Sequence, residues 1–180
     1  YAEGEVPPGN YTLVASTYHP NQHGAFVAQV ASSVPLQHIR SIAPEGDDME
    51  GHVKFDGAWS MTKQTAVGCA NFGNYAMNPH YRVECHSRCR LVTRLVTTRS
   101  TTAASINLAI FRSGGFTSPS SSLASSNRGV YTDAVCGTAL GPLTLDPGVY
   151  TLVPSTFTPM EGTFQIAVHS HPKAKISVSR

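Results

Sequence analysis

A chain of 180 residues carries 13 Lys+Arg against 11 Asp+Glu, a net charge of +2, with 41% hydrophobic and only 13% charged residues. That length holds one full domain and part of another, and the apolar share suffices for a core. No apolar run approaches the ~18–20 residues of a membrane helix, no basic-then-apolar leader opens the chain, and Tyr1 is not an initiator methionine, so the sequence reads as a piece of something longer.

Charge is uneven along the chain. Residues 1–55 hold two basic and six acidic residues, a charge of −4, and residues 56–180 hold eleven and five, a charge of +6. An excess this small, without zinc-finger spacing, an RRM signature or a long basic helix, is too little to argue nucleic acid, and no nucleic-acid partner is expected.

Period-two alternation dominates from the start. Segments 10–18 and 24–31 read as strands, and the polar stretch 44–52, PEGDDMEGH, reads as a linker. Further strands are expected at 80–86, 89–97, 106–111, 129–134, 148–157, 163–168 and 175–179. In the sixth of these, Phe164, Ile166 and Val168 share one face; around 89–97, Cys89, Leu91 and Leu95 do. The Ser/Thr-rich run 113–127 reads as a long mobile loop. With 15 Gly and 12 Pro between short strands and no helical stripe, the fold class is all-β, an antiparallel sandwich or barrel.

An internal repeat divides the chain. Pro8-Gly9-Asn10-Tyr11-Thr12-Leu13-Val14 returns as Pro147-Gly148-Val149-Tyr150-Thr151-Leu152-Val153, and Gly24, Phe26, Val30 and Ser32 answer Gly162, Phe164, Val168 and Ser170. A spacing this long signals domain duplication. Residues 1–43 are therefore expected to be the terminal hairpin of a preceding sandwich, 44–54 an acidic linker, and 55–180 a complete domain. An isolated hairpin is marginal in water, so 1–43 should dock as strands on the main sandwich, pair with a second copy, or fray.

The reactive residue types form no strong constellation. Cysteines at 69, 85, 89 and 136 make no CxxC pair and are too sparse for a disulfide scaffold. Cys85 and Cys89 lie near His80 and His86, where a zinc site is conceivable but lacks a second ligand pair. Reduced, half-buried thiols are the simpler reading. His169 and His171 alternate on one face, either a metal pair or a strand end in water. Glu45, Asp47, Asp48 and Glu50 lack the spacing of a calcium loop and read as solvated linker. Asn10-Tyr11-Thr12 fits the N-glycosylation pattern, with Asn10 read simply as a turn residue.

One basic stripe is legible. Arg88, Arg90 and Arg94 share one parity opposite the apolar Cys89, Leu91 and Leu95, with Arg82 or Arg99 as extensions. Such a stripe offers guanidinium forks to phosphate or carboxylate, or is an ordinary solvated face. An intramolecular match with the acidic segment is a third reading, weak and salt-sensitive.

Four motifs in order carry a family resemblance: Gly57-Ala58-Trp59, Thr65-Ala66-Val67-Gly68-Cys69, Asn78-Pro79-His80-Tyr81, and Leu145-Asp146-Pro147-Gly148-Val149-Tyr150 through Phe157. Over residues 57–171 the chain resembles the C2-like β-sandwich of calpain-type cysteine proteases, domain III. Its tandem copies are similar to the atypical branch that includes calpain-seven and the fungal pH-response protease. The family's Ala-Gly-Gly is Ala66-Val67-Gly68 here, which puts a bulge at the first glycine in question. The resemblance implies a non-catalytic regulatory or protein-interaction module of an intracellular, cytoplasmic endopeptidase, endosome- or membrane-associated in one variant. The Cys/His/Asn core of such a protease would lie outside this chain, and Cys69 would be a packed turn residue. Implied partners are the protease core of the same parent chain, a protein partner or substrate, and, as the alternative, an anionic membrane contacted through Arg88, Arg90 and Arg94. No catalytic residue, cofactor or metal ligand is expected within these 180 residues.

Overall fold

The computed structural model describes residues 4–18, 22–99, 104–113, 115–116, 118–133 and 136–178. They divide into two compact units, one ending at Ile42 and one beginning at Ala43.

In the second unit the described residues form nine strands in two antiparallel sheets. They are β1 (Gly51–Trp59), β2 (Tyr81–Cys85), β3 (Cys89–Arg99), β4 (Ile106–Arg112), β5 (Ala124–Ser125), β6 (Thr138–Leu145), β7 (Gly148–Thr156), β8 (Gly162–His171) and β9 (Lys175–Val178). The first sheet runs β1-β8-β3-β6, and the second runs β5-β4-β7-β2-β9. Helical structure among the described residues is limited to 3₁₀ turns of three or four residues. Among the described residues no helix is long and apolar enough to cross a membrane. The expected antiparallel sandwich is what forms.

Alternation explains the core. Phe164, Ile166 and Val168 of β8 and Leu91 and Leu95 of β3 point inward from one sheet. They meet Ile106, Leu108 and Ile110 of β4, Leu152 of β7 and Val83 of β2 from the other, all buried in one cluster. Trp59 lies against Phe164 with ring centroids 4.4 Å apart, and Tyr81 tilts against Phe55 at 4.6 Å. Offset and tilted ring contacts of this kind add about 0.5–1.5 kcal/mol each beyond area burial.

Several elements differ from the sequence expectation. Strand β1 takes up Gly51–Lys54, the last residues of the expected 44–54 linker, because Val53, Phe55 and Trp59 alternate toward the core. Strand β4 is buried on both faces, since Ala109, Phe111 and Val153 pack outward beneath Tyr75 in a second small cluster. The Ser-rich run is not one featureless loop: Leu123 donates its N–H to Ile110 and the two residues of β5 pair with β4. The expected strand at 129–134 is reduced to a single bridge between Thr132 and Ile106.

The repeat also acquires a different geometry. β7 and β8 are consecutive in sequence yet belong to different sheets: β7 pairs with β4 and β2, and β8 with β1 and β3. The motif is a crossover, not a hairpin. In the first unit, segments 10–18 and 24–31 accordingly carry no strand, and their described residues are exposed. Strands of this type draw their hydrogen bonds from two neighbours elsewhere in a sandwich, so the pair has nothing to offer each other.

Candidate functional site

The family-like motifs converge on one structural knot rather than on a catalytic centre. Trp59 Nε1–H donates to the Pro154 carbonyl at 3.1 Å, tying β1 to β7 across the sandwich. Gly68 stands at φ +77°, and a Cβ there would lie 2.7 Å from the Pro159 nitrogen, so only glycine fits. The next residue, Cys69, donates its backbone N–H to Phe157 at 3.1 Å. Asn78, fully buried, donates from its amide nitrogen to the carbonyls of Gly68 (2.9 Å) and Tyr75 (3.0 Å). Tyr150 Oη–H reaches back to the Asp146 carbonyl at 2.8 Å and closes the Pro-Gly turn. Every motif is consumed in holding loops to the two sheets.

The thiols fit the same picture. Cys69, Cys85 and Cys89 are buried and Cys136 is exposed. Burial, reinforced by the neighbouring Cys89, pushes the Cys85 thiol up to about 12, and burial also raises Cys89. His80 and His86 do not join these two as ligands: His80 Nδ1 lies 3.0 Å from the Asn78 carbonyl and its ring tilts on Phe116, while His86 is exposed. Among the described residues, no three His, Cys, Asp or Glu side chains gather to hold a metal ion.

Charge concentrates instead on the outer face of the first sheet. The β1-β8 and β8-β3 registers place Lys54, Ala167 and Arg94 in one row, His52, His169 and Val92 in the next, and His171 beside Arg90 below. Segment 44–50 lies on this face, folded by two consecutive turns, Asp47 N–H to Pro44 and Met49 N–H to Gly46. Three of its four carboxylates meet basic side chains there. Arg94 grips Glu45 with two bonds, Nε to Oε2 at 2.6 Å and Nη2 to Oε1 at 3.0 Å. Arg90 holds Asp48 at 2.7 Å, and His171 faces Glu50 at 3.3 Å. The Arg90 hydrogen bond holds the Asp48 carboxyl below its usual range, and the Glu45 bond raises Arg94.

Of the three expected stripe residues, two are therefore brought together with carboxylates. Arg88 sits exposed in the β2–β3 turn, with no ion pair among the described residues. Arg82 belongs to β2 in the other sheet and pairs with Glu84 at 2.6 Å, so it does not extend the stripe. His169 is not a strand end in water: it is 8% exposed, its Nδ1 is 2.9 Å from that of His52, and a Cβ on Gly46 would stand 2.2 Å from its ring. Burial first, then His52, lowers its pKa, while Glu45 acts in the opposite sense. Lys54, His52 and Ala167 were missed by sequence reasoning, although the alternation of β1 and β8 would have placed them outward. Together with Glu45, Arg94, Gln165 and His169, Lys54 and Ala167 line a recess of about 300 Å³. A second, open cleft of about 770 Å³ runs between the Ser-rich segment and Phe157, with Arg128 and Tyr131 in its wall.

A two-sheet antiparallel sandwich whose motif residues all serve packing defines an accessory β-domain. Residues 55–169 match the family described as calpain large subunit, domain III, and the chain belongs to that family. It is 34% identical over 167 residues to a calpain-like protease palB/RIM13 of Cryptococcus neoformans var. neoformans serotype D, covering 92% of this chain and 20% of the relative. It is also 29% identical over 195 aligned residues to calpain-10 of Macaca fascicularis, covering 91% of this chain and 28% of that protein. The chain thus spans between a fifth and under a third of the length of these relatives. This segment is a non-catalytic domain of the calpain type.

Proposed function

We propose that residues 43–180 act as a regulatory and interaction domain of a calpain-type cysteine endopeptidase. The domain positions the protease core of the same parent chain and docks a protein partner or substrate, while limited proteolysis is carried out elsewhere in that chain. The observation that carries this reading is the division of labour among the residues. Motif side chains such as Trp59, Asn78 and Tyr150 are spent on internal hydrogen bonds. The first sheet meanwhile presents an ordered array of charges outward.

Positioning of this kind is worth a great deal, because a displacement of ~1 Å between reacting groups costs on the order of a hundredfold in rate. The test is deletion of residues 43–180 from the intact parent, with cleavage of labelled casein as a general endopeptidase readout. Loss of at least about tenfold in kcat/KM, with the remainder still folded, supports the reading. Unchanged cleavage overturns it.

A second reading, attachment to anionic phospholipid through Arg88, Arg90 and Arg94, is favoured by Arg88 alone, since Arg90 and Arg94 already have carboxylate partners. Co-sedimentation with phosphatidylserine vesicles, in calcium and in chelator, tests it. Salt-sensitive pelleting that is lost when the three arginines are replaced by glutamine supports it.

A further inference from the structure

The charged face of the first sheet has the features of a binding site that already holds an occupant. Three carboxylates at Glu45, Asp48 and Glu50 meet three basic side chains, Arg94 in one row of β3 and β8, and Arg90 and His171 in the row beyond His169. The contact at Glu45 has the two-bond fork geometry that selects a carboxylate over a point anion. These pairs are nevertheless exposed, and exposed pairs are individually weak and screened by salt. What clips the segment in place is apolar and steric: Met49 is buried and Gly46 closes on the His169 ring. The ionic contacts are therefore exchangeable, while the segment stays tethered beside the face.

Room for more is built in. Ala167 stands between Lys54 and Arg94 in the same row, so two basic residues with backbones about 10 Å apart flank a floor with almost no side chain. The recess over Ala167 is about 300 Å³, with Glu45 on one wall. Among the described residues Lys54 has no carboxylate partner.

We infer that this face docks an acidic polypeptide segment of a partner protein, with residues 44–50 acting as its built-in competitor. An incoming Asp or Glu inserts between Lys54 and Arg94, and neighbouring acidic side chains take over Arg90 and His171. The inference rests on the interaction role proposed above and names the partner chemistry. A peptide fits better than a membrane. It replaces the internal carboxylates one for one, whereas a flat anionic surface meets the repulsion of Glu45, Asp47, Asp48, Glu50 and Asp56 all together.

The probe is a fluorescein-labelled peptide of residues 43–51, titrated by anisotropy into the full chain and its variants at low salt. The triple variant Glu45→Gln, Asp48→Asn, Glu50→Gln removes the competitor's charge, and Gly46→Ala lifts the segment by collision with His169. Either change, and most strongly the two combined, is expected to tighten peptide binding about tenfold over wild type, the summed effect of giving up three weak exposed pairs. Adding Arg94→Gln and Lys54→Gln should abolish the gain, and a peptide with Gln and Asn at every acidic position should not bind. Circular dichroism confirms that each variant is folded. Equal, weak binding by wild type and released variants overturns the inference, as does binding of the released variant to vesicles of phosphatidylcholine with about 30% phosphatidylserine but not to the peptide. Either result leaves the deletion experiment untouched. If deletion abolishes casein cleavage while no peptide binds, the domain's role stands and only this docking face is wrong.

Discussion

Gly57 is a position where the packing can be tested at the level of one methyl group. It lies on β1 opposite Phe164 of β8 and faces the core. A Cβ there would stand 2.3 Å from Tyr81 Oη and 2.4 Å from two atoms of the Phe164 ring. Ordinary carbon contacts begin near 3.5 Å, so something must move by about 1 Å. The Phe164 ring is wedged against Trp59 at 4.4 Å and Tyr81 at 6.4 Å, all three almost wholly buried, so the strain has no free exit. Overpacking of this kind costs about 1–3 kcal/mol, and we expect Gly57→Ala to lose about 2. Trp59 is the single tryptophan and lies within this cluster, so its fluorescence reports unfolding directly. With a urea m-value of about 2 kcal/mol/M, the midpoint should fall by about 1 M with m unchanged. Gly57→Ala combined with Phe164→Leu should cost less than the sum of the two single changes, because the smaller side chain vacates the contested space. A Gly57→Ala midpoint within about 0.2 M of wild type would refute the claim that this glycine is required by the rings around it.

Three further outcomes follow from the same packing. Asn78→Ala leaves the buried Gly68 carbonyl without its donor, while Tyr75 keeps the backbone N–H of residue 78, and should cost about 1–3 kcal/mol in urea unfolding. A cost under about 0.5 kcal/mol would mean that water replaces the amide. His169, whose folded pKa lies below its ordinary 6.5, binds fewer protons folded than unfolded, so its contribution is present above about pH 6.5 and is lost as pH falls. The urea midpoint should drop between pH 7.5 and 5.5, and His169→Gln should flatten that drop; an equal slope in both proteins counts against it. Finally, of the four cysteines only the exposed Cys136 should react rapidly with an aromatic disulfide reagent at pH 8, with Cys136→Ser removing the fast phase. A second fast thiol in the folded protein would contradict the burial of Cys69, Cys85 and Cys89.

Much of the sandwich was legible because its strands alternate cleanly. Segments 89–97, 106–111, 148–157 and 163–168 became β3, β4, β7 and β8 to within two residues, apart from the C-terminal end of β8, which runs three residues further. Strand β6 escaped notice because Gly141-Pro142 interrupts it, and proline is confined to edge strands; β6 is an edge strand. Strand β1 was half assigned to a linker because Lys54 and Asp56 look solvated, as they are, while their alternate neighbours go inward. Segment 129–134 has strand-like residues, but Tyr131 turns aside to bond Ser155 at 2.8 Å and stack on Phe157. Residue parity put Arg90 and Arg94 on one side of β3, while Arg88 falls in the turn before that strand. The occupancy of that side by Glu45 and Asp48 stood among three open readings, because sequence separations of 49 and 42 residues say nothing about proximity.

The sequence by itself determined what depends on local periodicity and short motifs: the all-β class, the inward sides of strands such as β3 and β8, and the calpain domain III resemblance. Side-chain direction in a strand follows residue parity, so composition and order were enough. Only the tertiary structure decided which strand lies beside which. It put β7 and β8 in different sheets despite their adjacency, buried β4 on both faces, and laid an acidic segment over Arg90 and Arg94. Pairing of this kind is fixed by hydrogen bonds and charges that meet across long loops. No window of sequence contains both partners.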